Sequence, residues 1–380
     1  MIRPFALERY FARHEFSARF LLGSSDPESM PVSELLALEP GAAESLSRLR
    51  LGYTESRGDP ALRREIAGLY KTISPDDVLV FSGAEEPIFA FMSAVLKPGD
   101  HLIVHFPAYQ SHYAAAESLG VRVSRWQGDP GSGWAPDPSA LESMIGPDTR
   151  AVLTSAPHNP TGHLFSREVW DAVVAAARRH GLLLFSDEVY RGTEHDPGDR
   201  LPAACDIYEK GVSLNGLSKS YGLAGLRLGW IAARDRDLLD RLAAFKDYLT
   251  ICNSAPSEFL GRIAVRHSEA LFERTRRRLL PNRELLAAFF ERQAGRFRWS
   301  KPRAGTTVFP RFLGGAALDF CDRLVEETGI MLVPGSLFDV TGGEFIRFGY
   351  GRADLPEALA GLEAYLDADG RKRLEKKVKK

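Results

Sequence analysis

Short apolar runs recur between residues 77 and 233, separated by longer segments of mixed character. Runs of this length are typical of buried strands, and seven are present: DVLVFS, HLIVHF, VRVSRW, RAVLTSA, LLLFSDEVY, GVSLNGLSK and LGWIAA. The intervening segments, such as SREVWDAVVAAARRHG, repeat apolar residues every three or four positions, as amphipathic helices do. Strands that alternate with helices indicate a mostly parallel sheet covered by helices on both faces. The pattern therefore predicts an α/β domain with a seven-stranded sheet.

The pattern changes after about residue 280. Two segments predict helices, PNRELLAAFFERQ and LDFCDRLVEETG, and a last helix is predicted from Leu355 to about Leu366. Strands are predicted in FRWSKPRAGTTVFPRF, IMLVPGSLF and EFIRFGYG. We interpret this part as a smaller α+β domain that the N-terminal segment completes. The predicted division is 40–280 for the large domain, and 1–39 together with 281–380 for the small domain.

Composition excludes several classes of function. With 44% hydrophobic and 26% charged residues, the chain has the make-up of a globular protein. Its formal net charge of −1 gives no footprint for nucleic acid or an anionic membrane surface, so neither partner is expected. No apolar run reaches the roughly 18 residues that a membrane span needs. The first segment, MIRPFALERYFARHEF, lacks the apolar stretch of a signal peptide.

The three cysteines, Cys205, Cys252 and Cys321, are far apart in the chain. This spacing fits a reducing compartment better than a disulfide framework, and no Cys/His cluster predicts a metal site. We therefore expect a cytoplasmic protein without a bound metal.

Polar residues follow the predicted strands at their carboxyl ends, where ligands bind in open parallel sheets. A strand end is a costly place for the ammonium group of Lys219, because burial without a partner is expensive. The amides of Ala84 and Glu85, which open a helix, suit a phosphate. The other polar residues at these ends are Tyr109, Asn159, Asp187 and Arg227. Each alone has an ordinary structural explanation, but together they predict a site with an anion cradle, an aromatic ring, an acid and a lysine.

Three stretches carry a family resemblance: SLNGLSKSYGLAGLRLGW, APHNPTG and FSDEVY. Together they resemble the pyridoxal 5′-phosphate (PLP) enzymes of the class I/II aminotransferase superfamily, and the resemblance extends over almost the whole chain. It implies the aspartate aminotransferase-like fold and PLP as cofactor. It further implies that Lys219 links to the cofactor aldehyde and then moves the substrate proton. Asp187 would lie against the pyridine nitrogen and keep it protonated.

The same resemblance assigns the remaining cofactor contacts. Asn159 and Tyr190 would hydrogen-bond the phenolic oxygen, and Tyr109 would stack on the ring. The phosphate would be held by Arg227, Ser218 and the amides of Ala84 and Glu85. Three residues before the lysine, the family usually has a hydroxyl residue that contacts the phosphate, whereas this chain has Gly216. That contact is expected to be missing, or supplied by Ser82 or a water.

Two further residues match family positions. Tyr53, in GYTESRGDPALR, matches a tyrosine that reaches across a dimer interface to the partner's phosphate, so a homodimer with shared sites is expected. Arg347, in EFIRFGYG, matches the arginine that grips the substrate α-carboxylate with two hydrogen bonds, and Asn159 is expected beside the substrate as well.

The reaction is less well defined, because one fold serves many chemistries. LERYFARHEF, FKDYLTICNSAPSE and RAGTTVFPRF followed by VPGSLF resemble the capreomycidine synthase-like arginine cyclases, which eliminate a side-chain hydroxyl and close a guanidino group onto the alkene. A guanidinium substrate needs carboxylates, and the N-terminal candidates are Glu8, Glu15, Asp26 and Glu28. The same stretches also resemble a wider set of aminotransferase-like proteins. We therefore predict transamination of a free α-amino acid, with elimination and cyclisation of a hydroxylated arginine as the alternative.

A third hypothesis is a regulatory PLP-binding domain without turnover. Such regulators carry a basic DNA-binding domain ahead of the fold. Here the first predicted strand begins near residue 77 and the net charge is −1, so this hypothesis is disfavoured.

Overall fold

The structure is a computed structural model that describes residues 1–340 and 344–378, with side chains described up to residue 368. The helices are α1 (Ala6–His14), α2 (Val32–Leu36), α3 (Ala42–Ser47), α4 (Pro60–Ala67), α5 (Glu85–Val95), α6 (Ser111–Ser118), α7 (Pro138–Met144), α8 (Arg167–Arg179), α9 (Ala204–Ile207), α10 (Arg236–Lys246), α11 (Ala255–Arg266), α12 (Ser268–Arg292), α13 (Ala317–Thr328) and α14 (Leu355–Val378). The strands are β1 (Val78–Phe81), β2 (His101–Phe106), β3 (Arg122–Asp129), β4 (Ala135–Pro136), β5 (Thr149–Ser155), β6 (Leu183–Asp187), β7 (Gly211–Gly216), β8 (Gly229–Ala233), β9 (Phe297–Arg298), β10 (Thr307–Val308), β11 (Arg311–Phe312), β12 (Val333–Pro334) and β13 (Ile346–Gly349).

The large sheet has the strand order β1-β8-β7-β6-β5-β2-β3-β4. Strands β3, β2, β5, β6 and β7 run parallel, whereas β8 is antiparallel to both β7 and β1. The predicted mostly parallel sheet and its seven strands are therefore confirmed. The structure adds an eighth strand, β4, which pairs with the end of β3. Two residues are too few for a recognisable apolar pattern, so the sequence did not predict it.

Both faces of the sheet are buried at β1 and β8, which explains why these strands are apolar, whereas β3, near the other edge, is exposed or half-buried at most positions. In β1, Leu79 and Phe81 belong to a hydrophobic cluster with residues of α5, while Val78 and Val80 belong to a cluster with residues of α4 and α11. Successive side chains of a strand point to opposite faces, so a sheet covered on both faces needs apolar residues at every position. All four β1 residues are fully buried. The result is a rigid platform whose carboxyl ends carry polar loops.

The C-terminal part forms smaller sheets, β10-β13-β12 and β11-β9, packed with α13 and α14. The N-terminal segment joins it, because Phe20 pairs with Ile330 in a parallel bridge and the amide of Gly23 donates to Met331 O. Leu35, by contrast, already packs in a hydrophobic cluster of the large sheet. The division at residues 39/40 and 280/281 stays a proposal, since the second boundary falls inside the continuous helix α12.

The longest helices carry charges along their length. The 25-residue α12 contains the run ERTRRR, and its apolar side chains contact both parts of the protein. The last helix begins at Leu355 as predicted but continues to Val378. Within the described ranges, no helix is long and apolar enough to cross a membrane.

Candidate active site

A cavity of about 560 Å³ opens at the carboxyl ends of the large sheet, between the sheet and the N-terminal segment. It brings together most of the side chains and amides that the sequence singled out. The predicted residues that line it are Glu8, Asp26, Ala84, Glu85, Tyr109, Asn159, Asp187, Tyr190, Ser218, Lys219, Arg227 and Arg347. The residues that follow the large strands converge because those strands end at one edge of the sheet, and the N-terminal segment and β13 add Glu8, Asp26 and Arg347.

One end of the cavity is built to bind an anion. Helix α5 begins at Glu85, and no side chain within the described residues caps its N-terminus, so its first amides are available. The guanidinium of Arg227 lies against Gly83, where a Cβ atom would come within 2.7 Å of Nη2. Gly83 also has φ of +85°, which glycine adopts without strain. Glycine at this position therefore lets the arginine and the helix N-terminus share one anion.

Asp187 ends β6 and is held at both carboxylate oxygens. Its Oδ1 accepts the amide of Val189 at 3.1 Å, and its Oδ2 lies 3.0 Å from His112 Nε2. The side chains of Asp187 and His112 are almost completely buried. Sequence reasoning missed His112, because a single histidine in a helix carries no motif of its own.

Lys219 follows β7 and points into the cavity, where its Nζ donates to Ser25 Oγ at 2.9 Å. The same Nζ lies 6.0 Å from the centre of the Tyr190 ring. The hydroxyl of Tyr190 is buried and has no hydrogen-bond partner among the described residues. Ser25 was not predicted from the sequence, since it comes from a segment 194 residues away.

Arg347 on β13 also lines the cavity. Its side chain is 1% exposed; Nη1 donates to Asn159 Oδ1 at 3.1 Å and Nε donates to Gly23 O at 3.0 Å. The remaining nitrogen, Nη2, is buried without a partner in the described chain. Burial lowers the pKa of this guanidinium, and a buried donor left unpaired is costly. A carboxylate would satisfy that donor, so this geometry suits an α-amino acid.

The N-terminal segment contributes acidic side chains to the cavity lining, among them Glu8 and Asp26. Glu8 Oε1 accepts the hydroxyl of Tyr109 at 3.0 Å. Burial opposes ionisation of Asp26, but the charges of Lys219 and Arg352 outweigh it and lower its pKa. Arg352 Nη2 lies 2.7 Å from Asp26 Oδ2.

Glu15 also lines the cavity, and its environment differs from that of Asp26. Burial, together with repulsion from Asp26 and Glu8, raises its pKa. No basic side chain within the described residues makes an ion pair with Glu15. A cation brought in by a ligand would therefore relieve the repulsion at this wall.

Two predicted residues lie outside the cavity lining. Glu28 Oε2 accepts a hydrogen bond from the amide of Ala353 at 3.0 Å, so its carboxylate binds backbone outside the cavity lining. Tyr53 is 92% exposed in the single chain. Glu28 was predicted to lie beside the substrate because the N-terminal segment commonly covers the site in the family, but its carboxylate accepts the amide of Ala353 instead.

Gly216, the departure from the family pattern, is tightly packed. An added Cβ atom would lie 3.2 Å from Leu228 O, so a larger residue would need the neighbouring strand to move. Ser82, suggested as a replacement contact, is not part of the lining; its amide donates to Glu86 Oε2 at 2.6 Å. Arg227 and the uncapped α5 N-terminus are left as the main anion-binding groups of this end.

The side chains present fit PLP. The anion end suits its phosphate, the unpartnered Tyr190 hydroxyl suits its phenolic oxygen, and the fixed Asp187 carboxylate suits a protonated ring nitrogen. Lys219 Nζ in the same cavity suits its aldehyde.

Comparisons with known proteins agree with this geometry. A model of the family "Aminotransferase class I and II" matches residues 19–362. Capreomycidine synthase of Streptomyces vinaceus is 29% identical over 97% of this chain and 95% of its own length. Arginine–pyruvate transaminase AruH of Pseudomonas aeruginosa is 30% identical over 90% of this chain and 88% of its own.

A solved structure extends the agreement to the fold. The crystal structure of a PLP-dependent aminotransferase from Streptococcus suis matches with a TM-score of 0.90 and 30% identity, covering 97% of this chain and 98% of that one. The predicted aspartate aminotransferase-like fold and PLP cofactor are confirmed. The chain therefore belongs to the class I and II aminotransferase family and is a PLP-dependent enzyme.

Proposed function

We propose that this enzyme transaminates a free α-amino acid whose side chain carries a guanidinium or a similar cation. The observation that carries the proposal is the acidic wall: Glu8, Glu15 and Asp26 line the same cavity as Lys219 and Arg347. An apolar side chain would find these carboxylates unfavourable, whereas a cation gives charge-assisted hydrogen bonds. The similarity to an arginine–pyruvate transaminase supports both the substrate class and the reaction.

The side chains of the cavity have separate roles in the proposed reaction. Arg347 Nη2 and the amide of Asn159 bind the α-carboxylate, which fixes the Cα–H bond relative to Lys219. Lys219 Nζ takes the proton from Cα and gives it to the carbon on the other side of the substrate amino nitrogen. When bound, PLP withdraws electrons from the bonds at the amino acid Cα. Asp187, oriented by His112, presents its carboxylate group to the cavity.

Elimination and cyclisation of a hydroxylated arginine is the second candidate. It is favoured by the similarity to capreomycidine synthase, which extends over 97% of this chain. Both reactions begin with the same carboxylate grip, the same guanidinium site and the same removal of the Cα proton. They differ afterwards, because cyclisation expels the side-chain hydroxyl as water and keeps the amino group, whereas transamination passes the amino group to an acceptor.

One experiment separates the two reactions. The holoenzyme is incubated with arginine and pyruvate, and separately with hydroxylated arginines alone, and the products are identified by mass. Formation of alanine from the first mixture is the expected result. A product that has lost one water, formed without pyruvate, would establish cyclisation instead. Preference for leucine or phenylalanine over both would contradict the guanidinium site.

The acidic wall is tested by substitution. Because Glu8 and Glu15 are partly exposed, Glu8→Gln and Glu15→Gln are each expected to lower kcat/KM for arginine by about tenfold, or about 1–2 kcal/mol. Leucine, which brings no cation, should be used no worse by these variants. Glu28→Gln is the matched control, since its carboxylate lies outside the lining. Equal losses for arginine and leucine would refute the specificity role.

We also propose a homodimer with shared sites. The surface near Tyr53 carries large exposed apolar side chains: Leu51 at 80%, Tyr53 at 92%, Tyr248 at 90% and Ile251 at 55%. They form one surface, because Thr54 Oγ1 donates to Asn253 O at 3.0 Å and ties the two segments together. A second copy of the chain would cover this surface and place Tyr53 at the partner's phosphate.

We also propose that the enzyme is located in the cytoplasm. It is supported by the cysteines, since Cys205, Cys252 and Cys321 are all free thiols. Two of them, Cys205 and Cys321, are buried. Free thiols persist in a reducing compartment.

A further inference from the structure

The hydroxyl of Ser25 accepts a hydrogen bond from the ε-amino group of Lys219. The distance from Nζ to Oγ is 2.9 Å, and Ser25 is 9% exposed. Lys219 belongs to the loop after β7, whereas Ser25 belongs to the N-terminal segment that crosses to the small sheets. The contact therefore joins the loop after β7 to the N-terminal segment, two parts of the protein that are far apart in the sequence.

The backbone around Ser25 is fixed from several sides. The carbonyl of Ser25 accepts Thr306 Oγ1 at 2.6 Å, and the carbonyl of Gly23 accepts Arg347 Nε at 3.0 Å. On the other side, Asp26 is held by Arg352 at 2.7 Å. These bonds use backbone or neighbouring atoms, so they anchor the segment without the Ser25 hydroxyl. The hydroxyl is thus not needed to hold the fold, and its recorded bond is the one to Lys219.

We infer that Ser25 is a positioning residue for Lys219: it holds the free ε-amino group where that group can form a C=N bond to the cofactor aldehyde, whose oxygen leaves as water, and can later move the substrate proton. This rests on the role of Lys219 in the proposed function. A lysine side chain has four flexible bonds, and restricting them in advance lowers the cost of reaching the reacting atoms. A rigidly held hydroxyl in the cavity wall supplies that restriction.

The proton balance needs no additional reagent. Lys219 Nζ takes the proton from the substrate Cα, and the electron pair of that bond remains on the substrate side. Nζ then carries a positive charge and an additional N–H, which donates to Ser25 Oγ. The proton leaves Nζ for the acceptor carbon, and the amine is neutral again. Ser25 keeps its own proton throughout and acts only by holding the amine.

The test follows attachment of PLP to the apo-enzyme, which does not depend on turnover. PLP is added, samples are reduced with borohydride at intervals, and the modified Lys219 peptide is quantified by mass. Ser25→Ala should attach PLP about tenfold more slowly, because one hydrogen bond that orients the attacking amine is lost. Non-covalent PLP affinity should be unchanged. Ser25→Thr, which keeps a hydroxyl, should restore most of the rate.

Two further variants distinguish the possible failures. Ser17→Ala removes a hydroxyl of the same segment that lies outside the cavity lining and bonds the carbonyls of Arg13 and His14, and it should attach PLP at the normal rate. If Ser25→Ala attaches PLP at the wild-type rate, or Ser17→Ala is slowed equally, the inference is overturned. Lys219→Ala should give no modified peptide. A reducible adduct in that variant would refute the assignment of Lys219 itself, which is a failure of the proposed function.

Turnover gives an independent readout. With arginine as substrate, Ser25→Ala should lower kcat and the rate of Cα deuterium exchange about tenfold while KM stays within about twofold. A rise in KM with unchanged kcat would show that Ser25 binds substrate instead, and would overturn the positioning role.

Discussion

His112 Nε2 lies 3.0 Å from Asp187 Oδ2, and both side chains are shielded from solvent. The second oxygen of Asp187 accepts the amide of Val189. A carboxylate bonded at both oxygens keeps one orientation, because rotation would break a buried hydrogen bond. The pair joins the end of β6 to α6, so the sheet and a helix together aim the charge that the cofactor ring requires.

Loss of the His112 hydrogen bond should lower the rate without removing the site. His112→Phe is expected to reduce kcat by about tenfold, or about 1–2 kcal/mol, since one buried hydrogen bond to a carboxylate is lost. His112→Asn, which can still donate, should lose less. The measurement is kcat at saturating PLP, with PLP content determined separately. Equal activity of wild type and His112→Phe would exclude a role in orienting Asp187.

Replacement of Arg347 should weaken substrate binding. Arg347→Lys loses the planar pair of donors that binds a carboxylate at two points, and it also loses the bond to Asn159. We expect kcat/KM to fall by an amount that corresponds to about 2–4 kcal/mol of lost transition-state binding, mostly because KM rises. Arg311→Lys, an exposed strand arginine next to Glu344, is the control and should behave as wild type. An unchanged KM in Arg347→Lys would place the carboxylate site elsewhere.

The proposed dimer makes a prediction for Tyr53. Tyr53→Phe removes one hydroxyl from a side chain that is 92% exposed in the single chain. In a dimer with shared sites, PLP retention should weaken about tenfold, or about 1–2 kcal/mol, because a hydrogen bond to the partner's phosphate is lost. Retention is measured by dialysis, and the oligomeric state by sedimentation. A fully active monomer would contradict the arrangement.

The large sheet was predictable because buried strands are marked by short runs of neighbouring apolar residues in the sequence. Strands buried on both faces need apolar residues at consecutive positions, and β1 and β8 show this clearly, whereas β3 is mostly exposed or half-buried and β4 has only two residues. The loop residues at the strand ends were predictable for a related reason. Lys219 and Asp187 are charged residues that directly follow apolar runs, and such positions are costly without a function.

The missed residues depend on contacts between distant segments. Ser25 meets Lys219 across 194 positions, and His112 meets Asp187 across 75. A lone serine or histidine has no local pattern that separates it from a surface residue. Glu28 shows the opposite case: it lies two positions from Asp26, yet its carboxylate is bonded to Ala353 outside the cavity. Nearness in sequence does not fix direction where the chain is irregular.

Glu85 should make stability depend on pH. Burial raises the pKa of its carboxyl group from 4.5 to about 7, although His112 and a hydrogen bond from Ser111 oppose the shift. Between these two values the folded protein holds a proton that the unfolded chain has released. Unfolding therefore releases a proton, and rising pH favours unfolding. The contribution of Glu85 to the free energy of unfolding should accordingly fall from about pH 4.5 to about pH 7 and stay constant above it.

The check is a comparison of Tm for the apo-enzyme across this range in wild type and Glu85→Gln. Glutamine cannot titrate, so the variant should lose this part of the fall in Tm and be relatively more stable near neutral pH than in acid. Glu44→Gln is the matched control, because Glu44 is a surface residue in an exposed pair with Arg48 and should leave the profile unchanged. Parallel Tm profiles for wild type and Glu85→Gln would mean that Glu85 ionises at an ordinary pH. In that case the anion end of the cavity would already carry a negative charge in acid, and PLP retention would show no change as the pH passes through about 7.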